Sequence, residues 1–273
     1  LDVGKQGLVV ADLNTYDAAG EEVVKCLRDA GYTIKLSLFK TRDVIHPDEY
    51  AVGKIIFDLE PDTSFLLVVG SGCLTDTTRV ISYRTGIPFI SVATAASMDG
   101  YASVGAPMLI DGLKKSLYVG APIAILADVD VLCAAPYPMT AAGFGDLLGK
   151  LNSRVDWKLA NIVNGEYYCQ TVIDMVSETV DSCVAQAQGI RERSPEALAI
   201  LIEGLILSGV GMLVVGNSRP ASGAEHHLSH YWEMKAITEN RPEHFHGKKV
   251  GVGTAVMAKF YEKFFARDPF AID

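Results

Sequence analysis

Five of the six histidines, His226, His227, His230, His244 and His246, fall within residues 225–247. Imidazoles gathered this densely are the donor type that binds a divalent transition metal. His226 and His230 are one helical turn apart and share a face, whereas His227 points elsewhere. His244 and His246 follow Arg241-Pro242, in a loop or at a helix start. Two imidazoles and one carboxylate would hold an ion and leave positions open for a substrate oxygen. Asp146, in Gly143-Phe144-Gly145-Asp146, is the most conspicuous acid on an earlier helix. The H-E-x-x-H pattern is absent, so a metalloprotease motif is not present. Any one histidine alone reads as structural or solvated; the cluster reads as a site.

A second chemistry is carried by glycine and hydroxyl turns. Gly70-Ser71-Gly72-Cys73-Leu74-Thr75-Asp76 directly follows an apolar run, with helix-like sequence over residues 77–83 after it. Strand, glycine turn and helix together aim backbone N–H groups and a helix N-terminus at phosphate. The run lacks the third glycine of G-x-G-x-x-G and the G-K-[ST] of a P-loop. A tight turn with Asp76 as a helix-start residue is the competing reading. Cys73 reads as a small side chain tolerated beside a ligand rather than as a nucleophile. Residues 94–100, Thr-Ala-Ala-Ser-Met-Asp-Gly, form a second polar turn after the next strand. Ligands of open α/β sheets bind at that edge, so two such turns favour a nucleotide site over two capped loops.

The elements that must position these residues alternate in the first half of the chain. Residues 8–11, 34–39, 65–69, 89–92 and 123–126 read as strands, several of them continuously apolar as in a doubly covered parallel sheet. Helical periodicity appears in Val23, Val24, Leu27 and Ala30, closed by Gly31, and again over residues 50–59 before Pro61. Beyond Pro136 and Pro138 the apolar spacing becomes helical over residues 139–151, 167–188 and 197–215. The expected fold is an α/β Rossmann-like nucleotide-binding domain over residues 1–136, followed by an all-α domain over residues 137–273.

Composition excludes several classes. The 24 Lys and Arg residues against 33 Asp and Glu give a net charge of −9, which disfavours nucleic-acid binding and a basic membrane-surface role. The five cysteines are widely spaced with no C-x-x-C, so free thiols in a reducing compartment are expected rather than a zinc ribbon or disulfide framework. Residues 197–215 are nearly long enough to span a bilayer. Glu203 and the small residues Gly204, Ser208, Gly209 and Gly211 argue instead for a buried helix, without membrane insertion. Cytoplasm is the expected compartment.

Taken together, these residues resemble the signatures of glycerol-1-phosphate dehydrogenases, nearest the bacterial AraM-like branch. The resemblance lies in residues 94–103, in Ala142-Gly143-Phe144-Gly145-Asp146, in Asp156-Trp157-Lys158-Leu159-Ala160, in Ser222-Gly223-Ala224-Glu225-His226 and in His246-Gly247. These proteins belong with glycerol dehydrogenase, iron-containing alcohol dehydrogenases and dehydroquinate synthase, whose fold the resemblance implies. It implies metal ligands at Asp146, His226 and His246, for one divalent ion such as Zn, Ni or Fe. It implies NAD or NADP on Gly72, Cys73, Leu74, Thr75 and Asp76 and on Thr94, Ala95, Ala96 and Ser97. Ser103 would also touch the cofactor, with Asp12 near its adenosine end. Asp99 and His230 would face the substrate. Departures are Ala95, where the family often has proline, and Lys114-Lys115-Ser116 after the Gly105–Gly112 hairpin, where Lys-Thr is usual.

The implied reaction is hydride transfer between NAD(P)H and dihydroxyacetone phosphate, giving sn-glycerol 1-phosphate, in a homo-oligomer. An acidic protein taking a phosphorylated substrate needs local positive charge. Lys150, one turn after Asp146, is the expected phosphate contact, with Arg154 next. A dehydrogenase of glycerol or another small polyol is the alternative within the class. A catalytically silent nucleotide-binding or assembly protein is the alternative outside it; dehydroquinate synthase would need more Lys and Arg. Relatives run longer, so segments before the first strand and after the His246 region are expected to be missing here, leaving apolar surface on the second domain.

Overall fold

The computed structural model describes residues 2–239, 241–242 and 244–266. Leu1 and residues 267–273, the tail of the expected second domain, lie outside the described residues. Strand β1 (Gln6–Asp12) leads into the single turn α1 (Leu13–Thr15), a π-helical turn at Tyr16–Gly20, and α2 (Glu21–Asp29). Then come β2 (Thr33–Phe39), α3 (Glu49–Asp58), β3 (Phe65–Gly70), α4 (Gly72–Thr85) and β4 (Phe89–Ala93). A hairpin of β5 (Gly105–Ile110) and β6 (Leu113–Tyr118) precedes β7 (Ala124–Ala127).

The five-stranded sheet has the order β2-β1-β3-β4-β7 with every pair parallel. Its central strands are apolar on both faces because both faces are covered. Leu8, Val10, Leu66 and Val68 pack with Ala51, Ile55, Leu74 and Ile81 on one side. Val9, Ala11, Leu67 and Val69 pack with Val24 on the other. The chain runs from β1 outward to β2 and then returns to place β3 on the opposite side of β1. That reversal opens a crevice at the C-terminal ends of β1 and β3, the place where open α/β sheets bind ligands.

The rest is helical: α5 (Val129–Ala134), α6 (Tyr137–Leu148), α7 (Lys150–Asn164), α8 (Gln170–Ala185), α9 (Ala187–Glu192), α10 (Pro195–Val215), α11 (Ala224–Thr238) and α12 (His246–Phe265). Helix α10 starts at a Ser194 cap with Pro195 in the first turn and stops at Gly216, whose φ of 77° closes the helix without a Cβ penalty. It is long and apolar enough to cross a membrane by composition. In the fold, Leu198, Leu201, Ile202 and Leu205 lie in one core with Leu132, Leu147, Val180, Ala93 and Tyr101, while Glu203 is exposed. This core joins the sheet edge to the helices on both sides of Pro136. Helix α12 carries exposed Val252, Val256, Phe260 and Phe264 at four-residue spacing, an apolar stripe on the helical part.

One local expectation is corrected. Residues 72–76 are not a turn before a helix; they are the first turns of α4, which begins at Gly72. Ser71 alone separates β3 from α4, so the reversal is complete one residue after β3 ends.

Candidate functional site

Helices α6 and α12 touch backbone to backbone. A Cβ on Gly145 would stand 2.5 Å from Gly247 O, and one on Gly247 would stand 2.0 Å from Ala142 O. Only glycine permits this approach. It sets Asp146, near the end of α6, beside His246, the first residue of α12. Helix α11 brings His226 to the same point. Its first turn is held by Asp156 on α7, whose carboxylate accepts the Ala224 N–H at 2.7 Å. The Asp156-Trp157 pair is thereby explained, since Trp157 is buried and donates to Tyr167 O at 2.7 Å.

Asp146 is fully buried. Its Oδ2 accepts the Asp99 N–H at 2.9 Å. Its Oδ1 is buried without a hydrogen-bond partner. That oxygen lies 3.5 Å from His226 Nε2 and 4.0 Å from His246 Nε2. Both imidazoles are held from behind. His226 Nδ1 is 2.7 Å from Glu225 Oε1, and His246 Nδ1 is 2.8 Å from Glu233 Oε1. A carboxylate on Nδ1 fixes the tautomer that presents the Nε2 lone pair forward, which is how metal-binding histidines are oriented. An orphaned carboxylate oxygen facing two such nitrogens fits a divalent cation in chemistry and in arrangement. Burial would push the Asp146 carboxyl up, but Lys150 and the two imidazoles outweigh it and hold it well below the usual carboxylate range. A second grouping, His230, Glu233 and His246, is not equivalent. Lys114 and Lys249 both sit on its carboxylate, which makes it a hydrogen-bonded cluster.

Lys150 does not lie where a substrate phosphate could reach it. It is fully buried, 2.7 Å from Asp99 Oδ2 and 3.7 Å from Asp146 Oδ1, and donates to Ala221 O at 3.0 Å. Its charge offsets two buried carboxylates, and the phosphate role expected of it is overturned. Arg154 donates to Ser177 Oγ at 2.8 Å, away from the triad's partners. Asp99 is brought to the site, with Ser208 donating to its Oδ2 at 2.9 Å. His230 stacks on His246 with ring centroids 5.6 Å apart.

At the sheet edge, Asp12 ends β1 and caps α1, accepting the Thr15 N–H at 2.7 Å. It flanks the β1/β3 crevice together with the start of α4, where Ser71 supplies no side-chain cap. Gly72 is half-buried and Cys73 exposed, whereas Leu74 and Thr75 are buried in α4. Thr94, Ala95, Ala96, Ser97 and Ser103 are also buried. Asp76 and Ser103 share a partner that sequence reading missed. The Arg79 guanidinium lies 3.1 Å from Asp76 Oδ1, 3.3 Å from Ser103 Oγ, 2.5 Å from Gly105 O and 3.0 Å from Tyr101 O, and it also donates to Gly100 O. Arg79 ties the second turn and the hairpin to α4. The other missed residues are Glu225, Glu233 and Lys114. The first two carried a local signal: one adjoins His226, and the other stands one turn after His230.

Comparison with known proteins places the chain in a family. The family model of iron-containing alcohol dehydrogenases matches residues 2–136. A glycerol-1-phosphate dehydrogenase [NAD(P)+] of Pyrococcus horikoshii is 35% identical over 258 residues, covering 94% of this chain and 72% of the relative. The chain belongs to the glycerol-1-phosphate dehydrogenase family. A member of that family from Halalkalibacterium halodurans is 41% identical over 256 residues, or 93% of this chain. The chain spans 64% of that relative's length. Among solved structures, glycerol dehydrogenase of Schizosaccharomyces pombe shares the fold with a TM-score of 0.75 at 21% identity, over 94% of this chain and 65% of the other.

Proposed function

We propose that this member of the glycerol-1-phosphate dehydrogenase family is a metal-dependent NAD(P)H-linked oxidoreductase that interconverts dihydroxyacetone phosphate and sn-glycerol 1-phosphate. The observation that carries this reading is the orphaned Asp146 Oδ1, facing two imidazoles whose other nitrogens are already held by carboxylates. Asp146, His226 and His246 would hold one divalent ion. When bound, that ion would supply Lewis acidity toward a carbonyl oxygen. The chain's own residues do the rest. The crevice flanked by Asp12 and the start of α4 seats the dinucleotide, with its phosphates toward Gly72, Cys73 and residues 94–97. Residues 1–136 would thus seat the nucleotide and lend Asp99 and Lys114 to the substrate, while residues 137–273 supply the metal ligands and His230. Holding the nicotinamide and the carbonyl carbon in one cleft turns a bimolecular hydride transfer into a local one.

Asp99 and His230 orient the substrate. Positive charge for its phosphate comes from Lys114, whose side chain is partly exposed beside His230, 3.2 Å from Nδ1. We extend the reading to a cytoplasmic homo-oligomer. Relatives known as glycerol-1-phosphate dehydrogenase [NAD(P)+] support the substrate and the nucleotide. NADH oxidation by the zinc-loaded protein tests the reading. Turnover of dihydroxyacetone phosphate far above that of dihydroxyacetone is expected. Equal turnover of the two would reassign the protein to the polyol dehydrogenases, and no turnover of either would overturn the enzyme reading.

A further inference from the structure

Glu233 is the most heavily shared carboxylate near the triad. It sits on α11 two turns after His226, with its side chain 9% exposed. Its Oε1 is 2.8 Å from His246 Nδ1 and 3.1 Å from Lys249 Nζ. Its Oε2 is 3.1 Å from His230 Nδ1 and also pairs with Lys114. Lys114 arrives from β6, in the hairpin that itself is anchored to α4 through Arg79 and Gly105. One side chain therefore touches a triad histidine on α12, a second histidine on α11 and a cation from the sheet domain.

We infer that Glu233 is a positioning residue: it orients His246 for metal binding, and through Lys114 it ties that orientation to the hairpin of the nucleotide-binding half. The inference rests on the metal reading above. Its physical basis is the number of donors that converge on one carboxylate. His246 can present Nε2 forward only while Nδ1 has an acceptor behind it. His246 is the first residue of its helix and is half-buried, and apart from Glu233 its ring is met by the rings of His230 and His226, which do not fix its tautomer. His226, by contrast, is buried against Glu225, whose Oε1 also accepts the Gly223 N–H at 2.8 Å. The second imidazole is thus the adjustable one. A shift of the hairpin would reach it through the Lys114–Glu233 pair, and also through His230, which Lys114 contacts and which stacks on His246.

The experiment is zinc titration of the full chain against a chromophoric chelator, with cobalt substitution as a spectroscopic companion. Glu233→Gln offers one acceptor oxygen where two served and removes the charge. It should weaken zinc binding by roughly 10–100-fold, the range for lost outer partners of metal-bound histidines, and alter the visible cobalt spectrum. The unfolding midpoint of the metal-stripped variant should stay close to that of the parent. Lys114→Met leaves every histidine in place and should weaken zinc binding by a smaller factor, roughly severalfold. Parent-like zinc affinity in either variant overturns the inference. So does a loss of zinc affinity matched by an equal collapse of the metal-stripped protein's midpoint, which would make Glu233 structural only. Failure of the parent itself to bind zinc would instead overturn the metal reading beneath.

Discussion

Asp76 and Asp146 are buried carboxylates that each sit beside a buried cation, and they end in opposite states. Asp76 pairs with Arg79, whose two Nη groups also donate to Ser103, Gly100, Tyr101 and Gly105 while its Nε is buried without a partner. Asp146 pairs with Lys150, yet its Oδ1 has no hydrogen bond and faces His226 and His246. The first cluster uses its cation's bonding capacity to hold backbone in place. The second keeps one acceptor in reserve. A buried charge pair by itself is weak evidence for either stability or function. What separates the two clusters is the kind of capacity left over: a single cationic N–H in the first, and in the second an anionic oxygen facing two imidazoles.

The largest expected effect breaks the second cluster. Asp146→Asn removes the anionic oxygen, and zinc affinity measured by chelator competition should fall by more than about 100-fold, beyond the loss seen for outer partners. Parent affinity in that variant would mean that Asp146 Oδ1 is not a ligand. Next in size is Arg79→Met. Removing one partner of a buried pair should cost about 3–5 kcal/mol of unfolding free energy in urea, while the folded fraction still binds zinc. A variant that kept its stability but lost the metal would erase the contrast between the clusters.

The smallest effect concerns pH. Burial pushes the Asp76 carboxyl up to about 7 from an ordinary 3.8, against the pull of Arg79. The folded state therefore holds this proton more tightly than the unfolded chain does. Its contribution to stability is complete below about pH 3.8 and is lost as pH rises toward 7. The unfolding midpoint of the metal-free parent should decline across that window more steeply than that of Asp76→Asn. Parallel profiles would show that Asp76 titrates near its ordinary value and that Arg79 fully compensates its burial.

Legibility followed distance along the chain. The strand at Phe65–Gly70 and the helix at Pro195–Val215 could be read because burial on both faces, or a cap and a stop, leave their mark within a few residues. The start of α4 was misplaced because Gly-Ser-Gly marks a turn and a helix start equally well. Lys150 was misassigned for another reason. Its spacing from Asp146 was correct, but the partners that bury it, Asp99 and Ala221, lie 51 and 71 residues away. Glu233 and Arg79 each have one local partner, His230 and Asp76, but the contacts that give them their roles are remote, on α12, the hairpin and the second turn.

The sequence by itself determined the elements, the order of sheet before helices, and the donor types available for a metal. Side-chain type and local periodicity are properties of the chain before it folds. Only the tertiary structure decided which oxygen of Asp146 stays unpaired, which carboxylate stands behind each imidazole, and which lysine is buried. Those outcomes depend on the approach of α6 to α12 at Gly145 and Gly247. Close packing there leaves no room for a bridging side chain, and the polar groups must settle their partners among themselves.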